Sequence, residues 1–482
     1  MADELRMLIG GRWVGAEDGA TFDATSPATG EVIGSVPEGS RADAARAVEA
    51  AGAAWEAWAS RSAFDRAAAM ERVAAAIDAR RDDLARTLAL DQGKPLRAEA
   101  HDEVEELIAY FSMAAADARR MEGVIAPSVD AAKRVFLYRV PRGVVGVISP
   151  WNWPYTMPAE IVAPALAYGN AVVLAPAPTT SVCAVKLAEC IAEADLPPGV
   201  FNLVTGPGPV VGDELAANAG TAAVGFIGSI ATGRAVAARA AGKELLLEMG
   251  GNGPLVVLED ADLDAAVSAT LTACFLNAGQ SCTAGERILV HRDVHDDYVA
   301  RLLEAVGSEI RLGDPFDDRT TMGPLNNAGV ADKTERHVGE AVAAGATVLA
   351  GGGRAPSYGS DLFFEATVID GVTEAMEIAR EETFGPVVPV SAVAGEDEAL
   401  ATVNGSPYGL LSAVFTRDLG RGLRYAERVR AGWVNVNEGT NYWESHLPFG
   451  GRAGSASGVG RVGGRFSMSR LTELKTIVLH TG

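Results

Sequence analysis

Cys282 sits in Gly279-Gln280-Ser281-Cys282-Thr283-Ala284-Gly285-Glu286-Arg287, a short polar run flanked by glycines. Small neighbours leave a thiol open and let backbone N–H groups approach a bound carbonyl. A free thiol ionises near about pH 8.5, so a nucleophilic cysteine needs surroundings that take its proton. The alternative is a buried structural cysteine, the reading taken for Cys183, Cys190 and Cys274, which fall in apolar helical runs. A second run, Glu248-Met249-Gly250-Gly251-Asn252, ends the apolar stretch Leu245-Leu246-Leu247 with a carboxyl. Desolvation in a cleft would raise that carboxyl toward a useful general base, whereas a salt-bridged strand end would leave it ordinary. A third run, Ser149-Pro150-Trp151-Asn152-Trp153-Pro154, restrains an amide between tryptophans and prolines. It suits either an oxyanion donor or a turn on a tryptophan core. In Phe226-Ile227-Gly228-Ser229-Ile230-Ala231-Thr232-Gly233 a strand passes through Gly-Ser into a helix. A helix N-terminus offers unpaired N–H groups and a positive dipole end to a pyrophosphate. The run is neither a P-loop nor the G-x-G-x-x-G fingerprint.

These residues need a scaffold. Apolar strand-like runs at Val144 to Ser149, Ala171 to Leu174, Phe201 to Val204, Ala223 to Ile227 and Glu244 to Glu248 alternate with helical periodicity, as in Val182, Val185 and Ala188. Strand alternating with helix predicts a parallel, doubly wound sheet with its ligand beyond the carboxyl ends of the strands. A second alternating series runs through Leu255 to Leu258, Arg287 to Val290, Ser412 to Phe415 and Trp433 to Val436. Helices are expected over Arg41 to Trp58, Phe64 to Leu90 and Leu96 to Arg120, and strands and turns over Leu8 to Val36. Pro448 to Gly464 reads as a Gly- and Ser-rich loop, and Leu474 to Leu479 as an edge strand.

At 482 residues the chain is long enough for several domains. Its 41 Lys and Arg against 63 Asp and Glu give a net charge of −22, which disfavours nucleic acid as a partner. No run of about 18 apolar residues suggests a membrane span. The first residues lack the basic and apolar parts of a signal peptide, so a cytoplasmic location with free thiols is expected. The four cysteines and six histidines show no ligand spacing, and no metal site is expected.

Taken in order, and followed by Glu381-Glu382-Thr383-Phe384-Gly385-Pro386 and Leu447-Pro448-Phe449-Gly450-Gly451, these runs resemble the aldehyde dehydrogenase superfamily. The resemblance extends from Gly11-Arg12-Trp13 to Thr476. It implies an α/β protein: two doubly wound, Rossmann-like domains, one binding cofactor and one catalytic, plus a small β oligomerisation flap. The implied boundaries are 1–121 and 142–249 for the dinucleotide-binding domain and 250–447 for the catalytic domain. Residues 122–141 and 469–482 would form the flap, and 448–468 a Gly-rich loop returning to the cofactor domain. The implied activity is NAD(P)-dependent, hydrolytic oxidation of a small-molecule aldehyde to an acid, with NAD favoured over NADP and assembly as a dimer or tetramer. Cys282 would be the nucleophile, forming a thiohemiacetal and then a thioester. Glu248 would activate the hydrolytic water, and Asn152 with the N–H of Cys282 would form the oxyanion hole. Glu382 would hold the nicotinamide ribose, Phe384 would flank the ring and Ser229 would meet the pyrophosphate. Ser149, Pro150, Trp151, Ala175, Gly228 and Gly250 would complete the cofactor site.

The chain departs from the family at several places. Ala175 and Pro178 stand where a Lys and often a Glu grip the adenosine ribose, so the usual sign of cofactor preference is missing. Ile227 and Ile230 replace common threonines, Ile161 replaces a common Lys, and Arg452 to Gly458 is about two residues longer than usual. Tyr155, Glu160, Leu276, Ser281, Thr283, Tyr442, Trp443 and His446 are expected near the substrate tunnel. Aromatic walls would suit an apolar aldehyde, and a carboxylate at Glu160 a cationic aminoaldehyde. Two other readings are a CoA-acylating relative, which Glu248 argues against, and a silent member acting as a binding or structural protein. A Cys–His hydrolase finds no recognisable histidine motif.

Overall fold

The computed structural model describes residues 3–482. Two large sheets carry the molecule. The first has eight strands in the order Gly458–Val459, Glu244–Met249, Ala223–Gly228, Val144–Ile148, Ala171–Ala175, Phe201–Leu203, Met7–Ile9 and Arg12–Val14. The five strands from Glu244–Met249 to Phe201–Leu203 are parallel. Helices cover them, so Val144–Ile148 and Ala171–Ala175 are almost wholly buried, as continuous apolar runs require. The second sheet has seven strands, six of them parallel in the order Thr367–Asp370, Val387–Val393, Gly285–His291, Gly253–Val257, Leu411–Phe415 and Trp433–Val436. A three-stranded antiparallel sheet joins Thr472–His480, Lys133–Pro141 and Val124–Ala126. This is the expected class: two doubly wound α/β units with a small β flap.

Local chemistry sets the helix limits. Helix Arg41–Ala59 starts at a capping box in which Ser40 and Asp43 bond each other's backbone N–H, and it buries Ala44, Ala47, Val48, Ala51 and Trp58. The single helix expected over Phe64 to Leu90 is two, Ala63–Ala79 and Arg81–Asp91. They break at Arg80, whose guanidinium turns to Glu189 and Asp83. The next run opens with a π-helical turn, Leu96–Ala100, before helix His101–Ala118.

The Gly-rich tail is also more structured than a loop. Gly458–Val459 pairs antiparallel with Leu247 and Glu248, and Ser457 Oγ donates to Gly250 O at 2.8 Å. A helical turn, Met468–Leu471, precedes the final strand.

Candidate active site

The strand ends gather at one cavity of about 220 Å³. Cys282, Glu248, Asn152, Glu382, Phe384, Trp151, Pro150, Gly228, Ser229 and Gly250 all line it. They come from five segments: residues 150–152, 228–229, 248–250, the loop of Cys282 and residues 382–384. Glu248 leaves the strand Glu244–Met249, Ser229 caps helix Ile230–Arg239, and Asn152 follows the strand Val144–Ile148.

The cysteine loop is held by amides. Asn277 and Ala278 adopt left-handed backbone, φ 52° and 53°, which is strained for residues with a Cβ. Glu99, from the π-helical turn, accepts the Asn277 N–H at 3.0 and 3.1 Å. Gln92 Nε2 donates to Asn277 Oδ1 at 2.9 Å, and Gln280 Oε1 accepts Asn326 N–H at 2.8 Å. Asn277 Nδ2 donates to Asn152 O at 2.9 Å, and Asn152 Nδ2 donates to Gln280 O at 3.1 Å. The loop and the oxyanion candidate are thereby locked together, with the second amide hydrogen of Asn152 uncommitted.

Of the four cysteines, only Cys282 is partly exposed. Burial pushes its thiol up, and the negative charges of Glu248 and Glu382 push it further. Burial likewise raises the Glu248 carboxyl to about 8, against a lowering hydrogen bond from Cys282. Glu248 Oε1 is buried and has no hydrogen-bond partner. The resting pair is therefore a thiol beside a carboxyl, each needing the other or a substrate to ionise.

Glu382, Phe384 and Ser229 are the residues of this cleft that could hold a dinucleotide. Glu382 accepts the Gly251 N–H at 2.9 Å, and a Cβ on Gly250 would come within 2.5 Å of its carboxylate and displace it. Burial raises Glu382 to about 8. Phe384 has φ +64° and meets Trp151 edge-on at 5.6 Å. Glu286 holds that strained loop by accepting the N–H groups of Thr383 and Phe384. Ser229 caps its helix by accepting the Thr232 N–H at 3.3 Å and is itself exposed.

Other expected residues lie elsewhere. Ala175 is buried in the sheet core, and Ser149 beside it is tied back by its N–H to Ala175 O at 3.1 Å, so neither reaches the cavity wall. Tyr155 is fully buried with its hydroxyl on Leu84 O at 3.2 Å, away from any tunnel, because an apolar helix face pulls the ring into the core. Glu160 is 2% exposed and bonded by the Tyr110 hydroxyl, so it is not an open carboxylate in the tunnel. Burial raises it to about 8. Ser281 and Thr283 are buried and bond each other at 2.7 Å, bracketing Cys282. Tyr442 is exposed and donates to Glu444 at 2.7 Å, and His446 faces Glu444 at 3.4 Å. Trp443 and Leu276 line a second cavity of about 510 Å³ beside Trp153. Lys333, Val330 and Met157 also line the cleft and had no local signal. Lys333 sits on the ordinary amphipathic helix Ala328–Ala343, and only packing brings it to Phe384, 5.9 Å from ring centre.

Known proteins resemble this chain along nearly its whole length. Residues 13–477 match the aldehyde dehydrogenase family. The 3-sulfolactaldehyde dehydrogenase of Pseudomonas putida is 38% identical, covering 98% of this chain and 96% of the relative. The NADP(+) succinate-semialdehyde dehydrogenase of Escherichia coli (strain K12) is 37% identical over 97% of this chain and 96% of its own length. An E. coli NADP-dependent enzyme superposes with TM-score 0.96 at 36% identity, covering 99% of this chain and 98% of that one. Betaine aldehyde dehydrogenase of Staphylococcus aureus with NAD+ superposes at 0.95 and 34% identity, covering 99% and 95%. A chain matched this far along its length, with its strand ends converging on a cysteine and a glutamate, belongs to the aldehyde dehydrogenase family and oxidises aldehydes to acids with NAD(P).

Proposed function

We propose that this enzyme acts on cationic, amine-bearing aldehydes, with Cys282 as nucleophile, Glu248 as base and Asn152 as oxyanion donor. The catalytic assignment is carried by the orphaned Glu248 Oε1 sharing one cavity with the only partly exposed cysteine. The Cys282 proton passes to Glu248 as Sγ bonds the carbonyl carbon. The resulting oxyanion takes the free Asn152 Nδ2 hydrogen and the Cys282 N–H. The nicotinamide, when bound, supplies the hydride acceptor. Glu248 releases the cysteine proton to solvent and then takes one from water as the hydroxide oxygen bonds the thioester carbonyl carbon; the C–S bond breaks, the acid leaves, and that proton returns to the Cys282 thiolate.

The substrate class rests on the cavity beside Trp153. Its wall carries Glu99, Asp102, Glu103, Glu105 and Glu106, with Trp153 and Trp443 as aromatic faces. Lys94 is the sole cation of that wall and is spent on Glu103, at 2.6 Å, over the Trp153 ring at 3.7 Å. Burial, then Glu160 and Glu103, raise the Glu106 carboxyl to about 8. An ammonium group would relieve that crowding and could rest on the indoles. The curated relatives are named for 3-sulfolactaldehyde, glutarate semialdehyde and succinate semialdehyde, all anionic aldehydes that this rim would repel. The test ranks 4-aminobutanal, butanal and succinate semialdehyde by kcat/KM. The amine should lead, and Asp102→Asn combined with Glu105→Gln should narrow its lead by about tenfold, the sum of two exposed charge contacts. A lead for succinate semialdehyde would overturn the proposal.

For the cofactor, NAD is the proposed preference, since neither Ala175 nor Pro178 offers a cation to a 2′-phosphate. Assembly as a dimer or tetramer is proposed through the antiparallel flap, where Val124, Ile125, Leu474 and Val478 are exposed. Four free cysteines suit a reducing cytoplasm.

A further inference from the structure

We propose a divalent transition-metal site of the zinc class at His337, Glu377 and Glu381, beside the loop that carries Glu382 and Phe384. One ligand atom from each residue lies within 4.8 Å of the others. The second observation is the imidazole itself. His337 is fully buried, and its Nε2 has no hydrogen-bond partner while facing Glu377 Oε1 at 3.4 Å. A buried ring nitrogen left unpaired is costly unless something takes its lone pair.

The other ring nitrogen is already placed as a metal-bound histidine needs it. Nδ1 lies 3.0 Å from Thr383 Oγ1. With Nδ1–H donating there, the Nε2 lone pair points at the two carboxylates, the outer-shell arrangement that fixes tautomer and ring angle. Glu377 opens the short helix Glu377–Arg380 and Glu381 follows it. Glu381 leaves the helix in extended backbone, its N–H still bonded to Glu377 O at 2.9 Å, which keeps the two carboxylates near each other. One imidazole and two carboxylates suit zinc, with cobalt as a spectroscopic stand-in. Arg336 now holds Glu377 at 2.6 Å and lies 3.6 Å from Glu340. A metal would take over its charge at Glu377 and leave the guanidinium to Glu340.

The site is wired to the cofactor loop. Thr383 links His337 to the segment whose N–H groups Glu286 holds, and Glu381 directly precedes Glu382. Metal binding would fix that segment and tighten NAD binding.

The test uses the Cys282→Ser protein, so that the active-site thiol cannot capture the ion. Zn2+ is titrated calorimetrically, and Co2+ is followed by its visible ligand-field bands. One ion should bind per chain, and Glu381→Gln and Glu377→Gln in that background should each weaken it by about tenfold or more. Glu381 is exposed, so its variant keeps the fold. No saturable binding, or binding untouched by both substitutions, overturns the site. NAD affinity of the same Cys282→Ser protein should rise with Zn2+, and an unchanged affinity overturns the coupling to the loop.

Discussion

The proposed reacting pair, Cys282 and Glu248, shows how environment can reverse an expectation drawn from residue type. A nucleophilic cysteine was expected to find groups that help ionise it, yet burial and the carboxylates of Glu248 and Glu382 hold the Cys282 thiol well up. In the proposed mechanism the proton moves to Glu248, whose carboxyl stands near 8. Only the ionised form of Glu248 accepts a proton, so kcat/KM should rise as pH climbs through about 8. Glu248→Gln should abolish that inflection and lower kcat by about 10²–10⁴. A pH profile of both proteins by cofactor absorbance checks it, and an inflection kept by the variant would assign the proton to another group. Asn152→Ala should cost about 10²–10³ in kcat, with cofactor affinity unchanged, if its amide meets the oxyanion.

At the scale of elements, the site depends on segments that contribute no chemistry. The π-helical turn Leu96–Ala100 exists to aim Glu99 at the cysteine loop, and its extra residue is the kind of local irregularity that collects at functional sites. The same segment begins beside the fully buried pair Lys94–Glu103, whose Glu103 also accepts the Tyr155 N–H at 3.0 Å. Lys94→Ala would leave that carboxylate uncompensated and should destabilise the fold by about 3–5 kcal/mol, read as a fall in the denaturant midpoint. A loss under about 1 kcal/mol would mean that the pair is readily hydrated. The strand Gly458–Val459 pins the Glu248 strand from its edge. Gly250→Ala would push a methyl into the Glu382 carboxylate and should raise the KM for NAD more than it lowers kcat.

Over the whole molecule, the buried acids set the response to pH. Glu99 and Glu286 stand near 7, and Glu106, Glu160, Glu248 and Glu382 near 8, chiefly through burial. Each carboxyl has a folded pKa above its unfolded value of 4.5. Between those values the folded chain binds more protons than the unfolded one, so stability falls as pH rises. The Tm should therefore decline from pH 5 toward pH 8, in calorimetric scans at fixed ionic strength, and a Tm that climbs over that window would show the acids ionised in the fold. The net charge of −22 adds self-repulsion in the same direction. Among the described residues no helix is long and apolar enough to cross a membrane.

What the chain determined by itself was periodic or ordered along it. Apolar runs such as Val144-Val145-Gly146-Val147-Ile148 declare buried parallel strands because both faces must be covered, and the succession from Asn152 to Phe384 carries the family. The break at Arg80 was hidden because the helical pattern continues across it, and ion pairs to Glu189 and Asp83 decide the turn. Lys333 and His337 were equally hidden, since one helix face reads as ordinary amphipathic packing until a second element supplies Phe384, Thr383 and Glu377. Burial did the rest: whether Glu160 or Tyr155 meets substrate or core, and whether Glu248 holds its proton at neutral pH, depends on how much water the assembled layers exclude, a quantity no local spacing encodes.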